Sequence, residues 1–238
     1  MRLKSVLALC RVSNLPTVWM NVIAAAVLVS EAGQQPMVWW LVALLAVALS
    51  GFYCGGMSLN DLCDFNRDKQ HQTYRPIVAG KVSLTQAKVI TLGLFGLGFA
   101  LLAVAPYHAG LLAGVVLLAV ITIYNLWHKQ NPVSVLFMAG ARALVFVVVA
   151  LALSGTLPHW VLLAAALQFF YTLSLTLVAR HENKRGKPYA GPVIPRMIAA
   201  MALVDGALLA LLVSPYWLVL GAAFAFLTRF GQRYVRGD

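Results

Sequence analysis

The residues of this chain best suited to chemistry lie between positions 60 and 80, in the stretch NDLCDFNRDKQHQTYRPIVAG. Asp61, Asp64 and Asp68 stand three and four residues apart, the spacing that stacks side chains on one face of an α-helix. From Asp61 to Asp68 such a helix rises about 10 Å. Asn60, eight residues before Asp68, shares that face. Carboxylates this close repel one another unless a cation stands among them. Oxygen ligands suit hard divalent cations, and Mg²⁺ takes one or two carboxylates, keeps some waters and bridges to phosphate oxygens. Arg75 follows closely, and its guanidinium fork matches phosphate geometry. The local chemistry is that of a Mg²⁺–diphosphate site in which Asn60, Asp61, Asp64 and Asp68 are the metal candidates. The plainer alternative is a solvated helix end whose acids pair with nearby Lys and Arg.

The elements that must position these residues are set by composition. The 238 residues are 61% hydrophobic and only 11% charged, with a mean hydropathy of +0.84. This excess of apolar surface marks a polytopic membrane protein. Apolar runs long enough to cross a hydrocarbon core of about 30 Å fall near 12–30, 37–59, 84–105, 109–127, 133–153, 160–179, 192–213 and 215–228, eight in all, the last being short. Backbone groups in lipid must satisfy their own hydrogen bonds, so the runs are expected as helices. The N-terminal run ends in no small-residue cleavage site and reads as the first membrane helix rather than a cleaved signal. Cys10, Cys54 and Cys63 lack metal-ligand spacing and predict no disulfide framework.

The net charge of +11 would suggest nucleic acid in a soluble protein. Here its distribution follows membrane orientation, and no nucleic acid is implied. The connections near 31–36, 106–108, 154–159 and 214–215 hold no Lys or Arg, and all 18 basic residues are assigned to the opposite set of ends. The positive-inside rule then places both termini and the acidic stretch in the cytoplasm. The two large polar loops follow the second and sixth runs. That spacing suggests one domain over 1–238 with two parallel four-helix halves, about 1–131 and 132–238, around a central cavity. Gly51, Gly55 and Gly56, and likewise Gly93, Gly96 and Gly98, are expected to admit close helix approach.

The motif Asn60-Asp61-x-x-Asp64-x-x-x-Asp68, followed by Arg75-Pro76-Ile77 and Gly80-Lys81, resembles the first signature of the UbiA superfamily of intramembrane prenyltransferases. Those enzymes move a polyprenyl group from its diphosphate to an acceptor, often aromatic, with Mg²⁺. Arg11 with Asn14-Leu15-Pro16-Thr17 resembles the family's opening helix, whose arginine lies near the acceptor pocket. Tyr124 to Lys129 lies where the family has a tyrosine followed by a lysine. The resemblance implies an all-α bundle that binds a polyprenyl diphosphate, a lipophilic acceptor and membrane lipid. It also implies that Asp61 and Asp64 act in catalysis, that Arg75 and the Lys129 region meet the phosphates, and that Tyr124 faces the reacting carbon. An allylic diphosphate departs by ionisation when cations neutralise its charge. Aromatic faces can steady the resulting cation, and the candidates are Phe52, Tyr53, Tyr124 and Phe169, Phe170 and Tyr171.

The chain departs from the family pattern after the sixth run. Where the family supplies further aspartates, this sequence has Arg180-His181-Glu182-Asn183-Lys184-Arg185-Gly186. Glu182 and Asn183 keep oxygen ligands, so Glu182 is a further metal candidate for one ion rather than a full second Mg²⁺ site, and Lys184 and Arg185 are candidates to replace metal charge on the diphosphate. The tyrosine-to-lysine spacing is one residue longer, with His128 at the family position. This variant second loop is similar to the compact UbiA-like group that includes EboC proteins. The altered loop leaves open a carrier of polyprenyl lipid on the same scaffold, while the intact first motif favours the enzyme. A phosphatidyltransferase of the CDP-alcohol type ranks last, because its eight-residue motif is absent. Asp205 is the one acid well inside a proposed span, a thin basis for an ion-coupled transporter.

Overall fold

The computed structural model describes residues 3–127, 131, 133–185, 189 and 191–237, without the side chains of 183 and 184. Among these residues the chain is helical throughout and forms no strand. A short helix α1 (Leu3–Leu9) leads through a 3₁₀ turn, Val12–Asn14, into α2 (Leu15–Gly33). Then come α3 (Trp39–Cys63), α4 (Phe65–His71), α5 (Leu84–Leu102), α6 (Ala109–Trp127) and α7 (Ser134–Ser154). The chain closes with α8 (His159–Arg185), α9 (Val193–Leu212) and α10 (Tyr216–Gly231).

Local signals account for several boundaries. Pro16 occupies the first turn of α2, where its missing N–H costs nothing. Ser83 and Gln86 form a reciprocal capping box that starts α5. Gly155 takes the left-handed conformation that ends α7. Seven helical segments are long and apolar enough to cross a membrane, and α10, at 16 residues, is the shorter eighth. The eight expected runs are therefore all present as helices. The Asn14 side-chain amide donates to the Gly237 carbonyl at 2.7 Å, so the segments before α2 and after α10 meet.

Helix α2 is the central post. It packs against α3, α7, α8, α9 and α10, and 72% of its span is buried against 22% of α5. The outer helices turn large apolar side chains outward, including Val89, Leu92, Leu112, Leu163 and Phe226, as lipid-facing surfaces do. Close backbone approach explains the important glycines. A Cβ on Gly51 would meet the Leu94 carbonyl of α5 at 2.7 Å, and one on Gly206 would meet Gly221 Cα of α10 at 2.9 Å. Gly93 and Gly96 differ from expectation: each faces open space and admits no neighbour. No disulfide joins Cys10, Cys54 and Cys63.

One basic residue is not where the charge pattern placed it. Arg142 lies within α7, eight residues after its start at Ser134, or about 12 Å along the axis. Its side chain reaches α2 and α9 rather than a helix end. Arg142 thus departs from the expected placement of basic residues at helix ends and bonds Thr17 and Met201 inside the bundle.

Candidate active site

The acidic stretch keeps its helical register through the junction of α3 and α4. Asp64 N–H donates to the Asn60 carbonyl and Asp68 N–H to the Asp64 carbonyl, both at 2.9 Å. Gln72 N–H continues the ladder to the Asp68 carbonyl at 2.8 Å. Asn60, Asp64 and Asp68 therefore follow one another at successive turns, with Asp61 beside them. All four are buried, with exposures of 8%, 3%, 7% and 2% in chain order. That burial contradicts a solvated helix end, while the arginine pairing which the plainer alternative expected is present at Asp61 and Asp68.

After α4 the chain folds back, and Arg75 enters the cluster. Its Nη1 donates to Asp61 Oδ1, its Nε to Gln72 Oε1 at 2.7 Å, and Asp68 Oδ2 lies 3.8 Å from Nε. Burial opposes the Arg75 charge, but Asp61 and Asp68 more than offset it and hold the guanidinium above its ordinary value. Arg11 reaches the same carboxylate from the other side, Nη2 to Asp61 Oδ1 at 3.3 Å, and donates from Nη1 to Met57 Sδ at 2.9 Å. Arg11 has a left-handed backbone, φ 45° and ψ 47°, which costs a non-glycine residue on the order of 1–2 kcal/mol. That turn separates α1 from the 3₁₀ segment and aims the guanidinium at α3. Asn60 Nδ2 donates to Asn125 Oδ1 at 3.0 Å, tying the acidic face to α6.

Directly beside this cluster opens an apolar cavity of about 300 Å³. Arg11, Asn14, Tyr53, Met57, Tyr124 and Asn125 line its acidic end, and Leu49, Phe52 and Leu117 are among its apolar walls. Asn14 is held by three partners: it donates to Tyr53 Oη at 3.1 Å and to Gly237, and accepts from Gln232 Nε2 at 3.2 Å. The segment after α10 thus closes part of the cavity wall. Of the aromatic candidates, Phe52, Tyr53 and Tyr124 line the cavity. The others do not: Phe170 is 63% exposed toward the lipid side, and Tyr171 donates to the Met197 carbonyl at 2.9 Å.

Of the second-motif residues, Glu182 lines an adjoining cleft of about 380 Å³, which shares Ile194 and Gly237 with the cavity. Glu182 lines it opposite Arg229, Arg233 and Arg236, and its Oε1 accepts from Tyr189 N–H at 2.9 Å. The Arg185 guanidinium lies 5.3 Å from the Tyr189 ring centroid. Lys129, and the side chains of Asn183 and Lys184, lie outside the described residues.

The donor set bears on metal binding. Among the described residues no three His, Cys, Asp or Glu side chains converge as an all-protein cage. Mg²⁺ does not ask for one, since one or two carboxylates suffice when waters and phosphate oxygens complete the shell. Hard oxygens from Asp61, Asp64, Asp68 and Asn60, enclosed at one end of the bundle, fit that demand in type.

A family model described as the UbiA prenyltransferase family matches residues 18–235. The chain belongs to this family. Similar UbiA-family proteins named digeranylgeranylglyceryl phosphate synthase occur in Saccharolobus solfataricus and Ignicoccus hospitalis. They are 28% identical over 193 residues and 33% identical over 106 residues. The first alignment covers 78% of this chain but 65% of that relative, and the second 44% and 33%. A solved digeranylgeranylglyceryl phosphate synthase superposes with a TM-score of 0.63 at 16% identity, covering 98% of this chain and 95% of the other. A UbiA homologue from Archaeoglobus fulgidus bound to GPP and Mg²⁺ gives 0.61 at 15% identity, with 97% of each chain covered. At such identities the likeness establishes the UbiA fold.

Several residues at the site were not singled out from sequence. Asn125 and Met57 engage Asn60 and Arg11, and Gln232 and Gly237 meet Asn14 from the far end of the chain. Arg142 and Thr17 line the deeper cavity wall. A lone basic residue inside an apolar run is itself a signal of function, and for Arg142 that signal stands in the sequence.

Proposed function

We propose that the protein is an intramembrane prenyltransferase that moves a polyprenyl group from its diphosphate to a lipophilic acceptor with Mg²⁺. One observation carries this reading: Arg11 bonds Asp61 of the acidic cluster and at the same time lines the apolar cavity. Charged head and apolar tail of one substrate therefore find their matching surfaces side by side. The relatives' names and the GPP and Mg²⁺ held by the structural neighbour support the substrate class. The positive-inside rule supports a cytoplasmic acidic end with both termini beside it.

One or two of Asp61, Asp64 and Asp68, with Asn60, would hold the metal, which would supply Lewis-acid neutralisation of the diphosphate oxygens. Arg75 and Arg11, now on Asp61, are within reach to turn toward phosphate once a cation satisfies that carboxylate. Breaking the C1–O bond sends its electron pair to the diphosphate, whose charge these residues stabilise. The allylic carbon, facing Tyr124 and Tyr53 in an apolar wall, then bonds to the acceptor nucleophile, which gives up its proton. Tyr124, Asn14 and, outside the described residues, Lys129 retain the roles the family pattern implies. Glu182, Asn183, Lys184 and Arg185 stand in the last turns of α8 and would meet the head group from that side.

The test is transfer from radiolabelled geranyl diphosphate to an acceptor panel by the purified protein, with and without Mg²⁺. Metal-dependent product supports the proposal. Diphosphate binding without product at any Mg²⁺ concentration would leave the non-catalytic carrier of polyprenyl lipid.

A further inference from the structure

The end of α10 and the turn after it divide their side chains between two faces. Phe226, Phe230 and Tyr234 recur every four residues and form a ladder of rings. Phe226 and Phe230 stack with centroids 6.3 Å apart, and Phe230 meets Tyr234 edge-on at 5.3 Å. All three rings are exposed, at 71%, 43% and 75%, the surface expected of a helix set in lipid. Arg229 and Arg233, each three residues on from a ring, line instead the cleft of about 380 Å³, together with Arg236. Against these three guanidinium groups the described lining residues set one carboxylate, Glu182, whose Oε1 already accepts from Tyr189 N–H. Among the described residues no carboxylate lies within 4.0 Å of Arg229 or Arg233. Arg229 Nη1 donates to the neutral Gln232 Oε1 at 2.9 Å.

Place and chemistry point to the same ligand. The cleft lies where α8 ends, α9 begins and α10 ends, at the boundary that the charge pattern assigns to the cytoplasmic leaflet. Pro192 to Pro195, the start of α9, form one wall, so the positive end of that helix dipole adds to the arginines. A basic pocket between membrane helices on this side suits the phosphate of an anionic lipid, and the guanidinium fork matches phosphate oxygens in pairs. A soluble anion would leave the ring ladder unused. A lipid would use both faces, with its head in the cleft and its chains against the rings.

We infer that the cleft beside α10 is a binding site for an anionic phospholipid, whose phosphate meets Arg229, Arg233 and Arg236 and whose acyl chains lie along Phe226, Phe230 and Tyr234. Its ligand set is distinct from the acidic cluster, where Arg11 and Arg75 attend Asp61. The lipid would also steady the wall of the central cavity. The Arg236 guanidinium lies 4.4 Å from the centroid of the Tyr74 ring, next in sequence to Arg75, and the Gly237 carbonyl holds Asn14. A filled cleft would fix this terminal segment against the cavity, so anionic lipid should speed transfer. That consequence alone rests on the prenyltransferase reading.

The experiment is calorimetric titration of the full chain in neutral detergent with dioctanoyl phosphatidylglycerol, dioctanoyl phosphatidylcholine and soluble glycerol phosphate. Phosphatidylglycerol should bind most tightly. An arginine near a membrane surface contributes about fivefold in affinity for anionic lipid. Arg233→Gln should therefore cost about fivefold, and the double variant Arg229→Gln with Arg233→Gln about 25-fold. Arg233 is exposed, so its substitution leaves the fold intact, as size exclusion would confirm. Phe230→Ala should weaken phosphatidylglycerol a fewfold and leave glycerol phosphate unchanged. Equal binding of the two lipids, or a preference that survives the double variant, overturns the inference. Glycerol phosphate binding as tightly as phosphatidylglycerol would give the cleft to a free phosphate and overturn it too. The titration is repeated with geranyl diphosphate and Mg²⁺ present. Phosphatidylglycerol displaced by them would make the cleft part of the diphosphate site, against the inference, whereas persistent binding supports it. Geranyl diphosphate that fails to bind at all would defeat the prenyltransferase reading and leave the lipid comparison standing. In vesicles, transfer should run faster with phosphatidylglycerol than with phosphatidylcholine alone, and Arg233→Gln should lose that gain. Equal rates would overturn the coupling to the cavity.

Discussion

Two polar regions stand within one apolar bundle, and they handle charge in opposite ways. At the end of α3, acids crowd along successive turns and meet guanidinium groups from α1's turn and the loop after α4. Deeper in the bundle, Asp205 is held by the side-chain amides of Asn21 and Gln168, which come from α2 and α8. The first region concentrates charge at one end of the bundle, where Arg11 links it to the cavity. The second disperses a single charge over neutral donors and so staples α2, α8 and α9. Exchangeable arginine partners suit a site that must receive ligand, whereas a carboxylate filled by amides suits a fixed support. Arg142 stands between the two, bonded to the central helix yet turned to the cavity.

The largest effect that separates the regions is expected at Asp61. Asp61→Ala removes the carboxylate shared by Arg11 and Arg75 and should lower transfer from geranyl diphosphate by on the order of 10³-fold, the scale of lost transition-state electrostatics. Asp64→Ala should do the same. Both proteins should still elute as the folded species on size exclusion in detergent. Ordinary turnover in either would remove the acidic cluster from the mechanism.

The reason one region was readable from sequence and the other was not lies in their connectivity. Asn60, Asp61, Asp64 and Asp68 are near neighbours in sequence on the helical stretch that runs through the α3–α4 junction, so residue spacing alone brought them together. The Asn21–Asp205 bond spans 184 positions, and the Arg142–Thr17 bond spans 125. Such pairings depend on which helices pack together, which hydropathy does not encode. For the same reason the eight apolar runs could be counted, but not the central place of α2. Charge statistics also misplaced Arg142, because they weigh loops and cannot see a cavity. The burial of the acidic cluster was equally hidden, since it depends on Arg75 returning from the following loop.

Asp205→Leu should act on stability and not on ligand. It strands the Asn21 amide, a buried donor whose loss of partner costs about 1–3 kcal/mol, and leaves Gln168 Nε2 only its bond to the Met201 carbonyl at 2.8 Å. The thermal midpoint in detergent should fall, while geranyl diphosphate affinity of the protein that remains folded should match the unaltered chain. A stable variant with lost diphosphate binding would reverse the division of roles drawn between the two regions. Gly206→Leu offers a control on packing alone. Any Cβ there meets α10 backbone at about van der Waals overlap, Gly221 Cα at 2.9 Å, and overpacking of this kind costs about 1–3 kcal/mol. Its midpoint should drop without any change in the Mg²⁺ dependence of transfer.

The smallest effect is expected at Glu182. In an acidic second loop this position would carry metal charge, and its loss would rival Asp61→Ala. Here its Oε1 is already engaged by the Tyr189 N–H, and it faces a cleft lined by Arg229, Arg233 and Arg236. Glu182→Ala therefore removes one hydrogen bond that orders the loop, a net contribution of about 0.5–1.5 kcal/mol, or about two- to twelvefold in rate if the loop must close before reaction. Glu182→Gln keeps an oxygen to accept that N–H while discarding the charge. Near-full activity in Glu182→Gln, with a modest deficit in Glu182→Ala, would assign the residue to loop order and leave the acidic cluster of α3 as the main holder of charge. A loss near 10³-fold in Glu182→Gln would instead place a working carboxylate at the second loop, and the basic cleft beside it would become part of the diphosphate site.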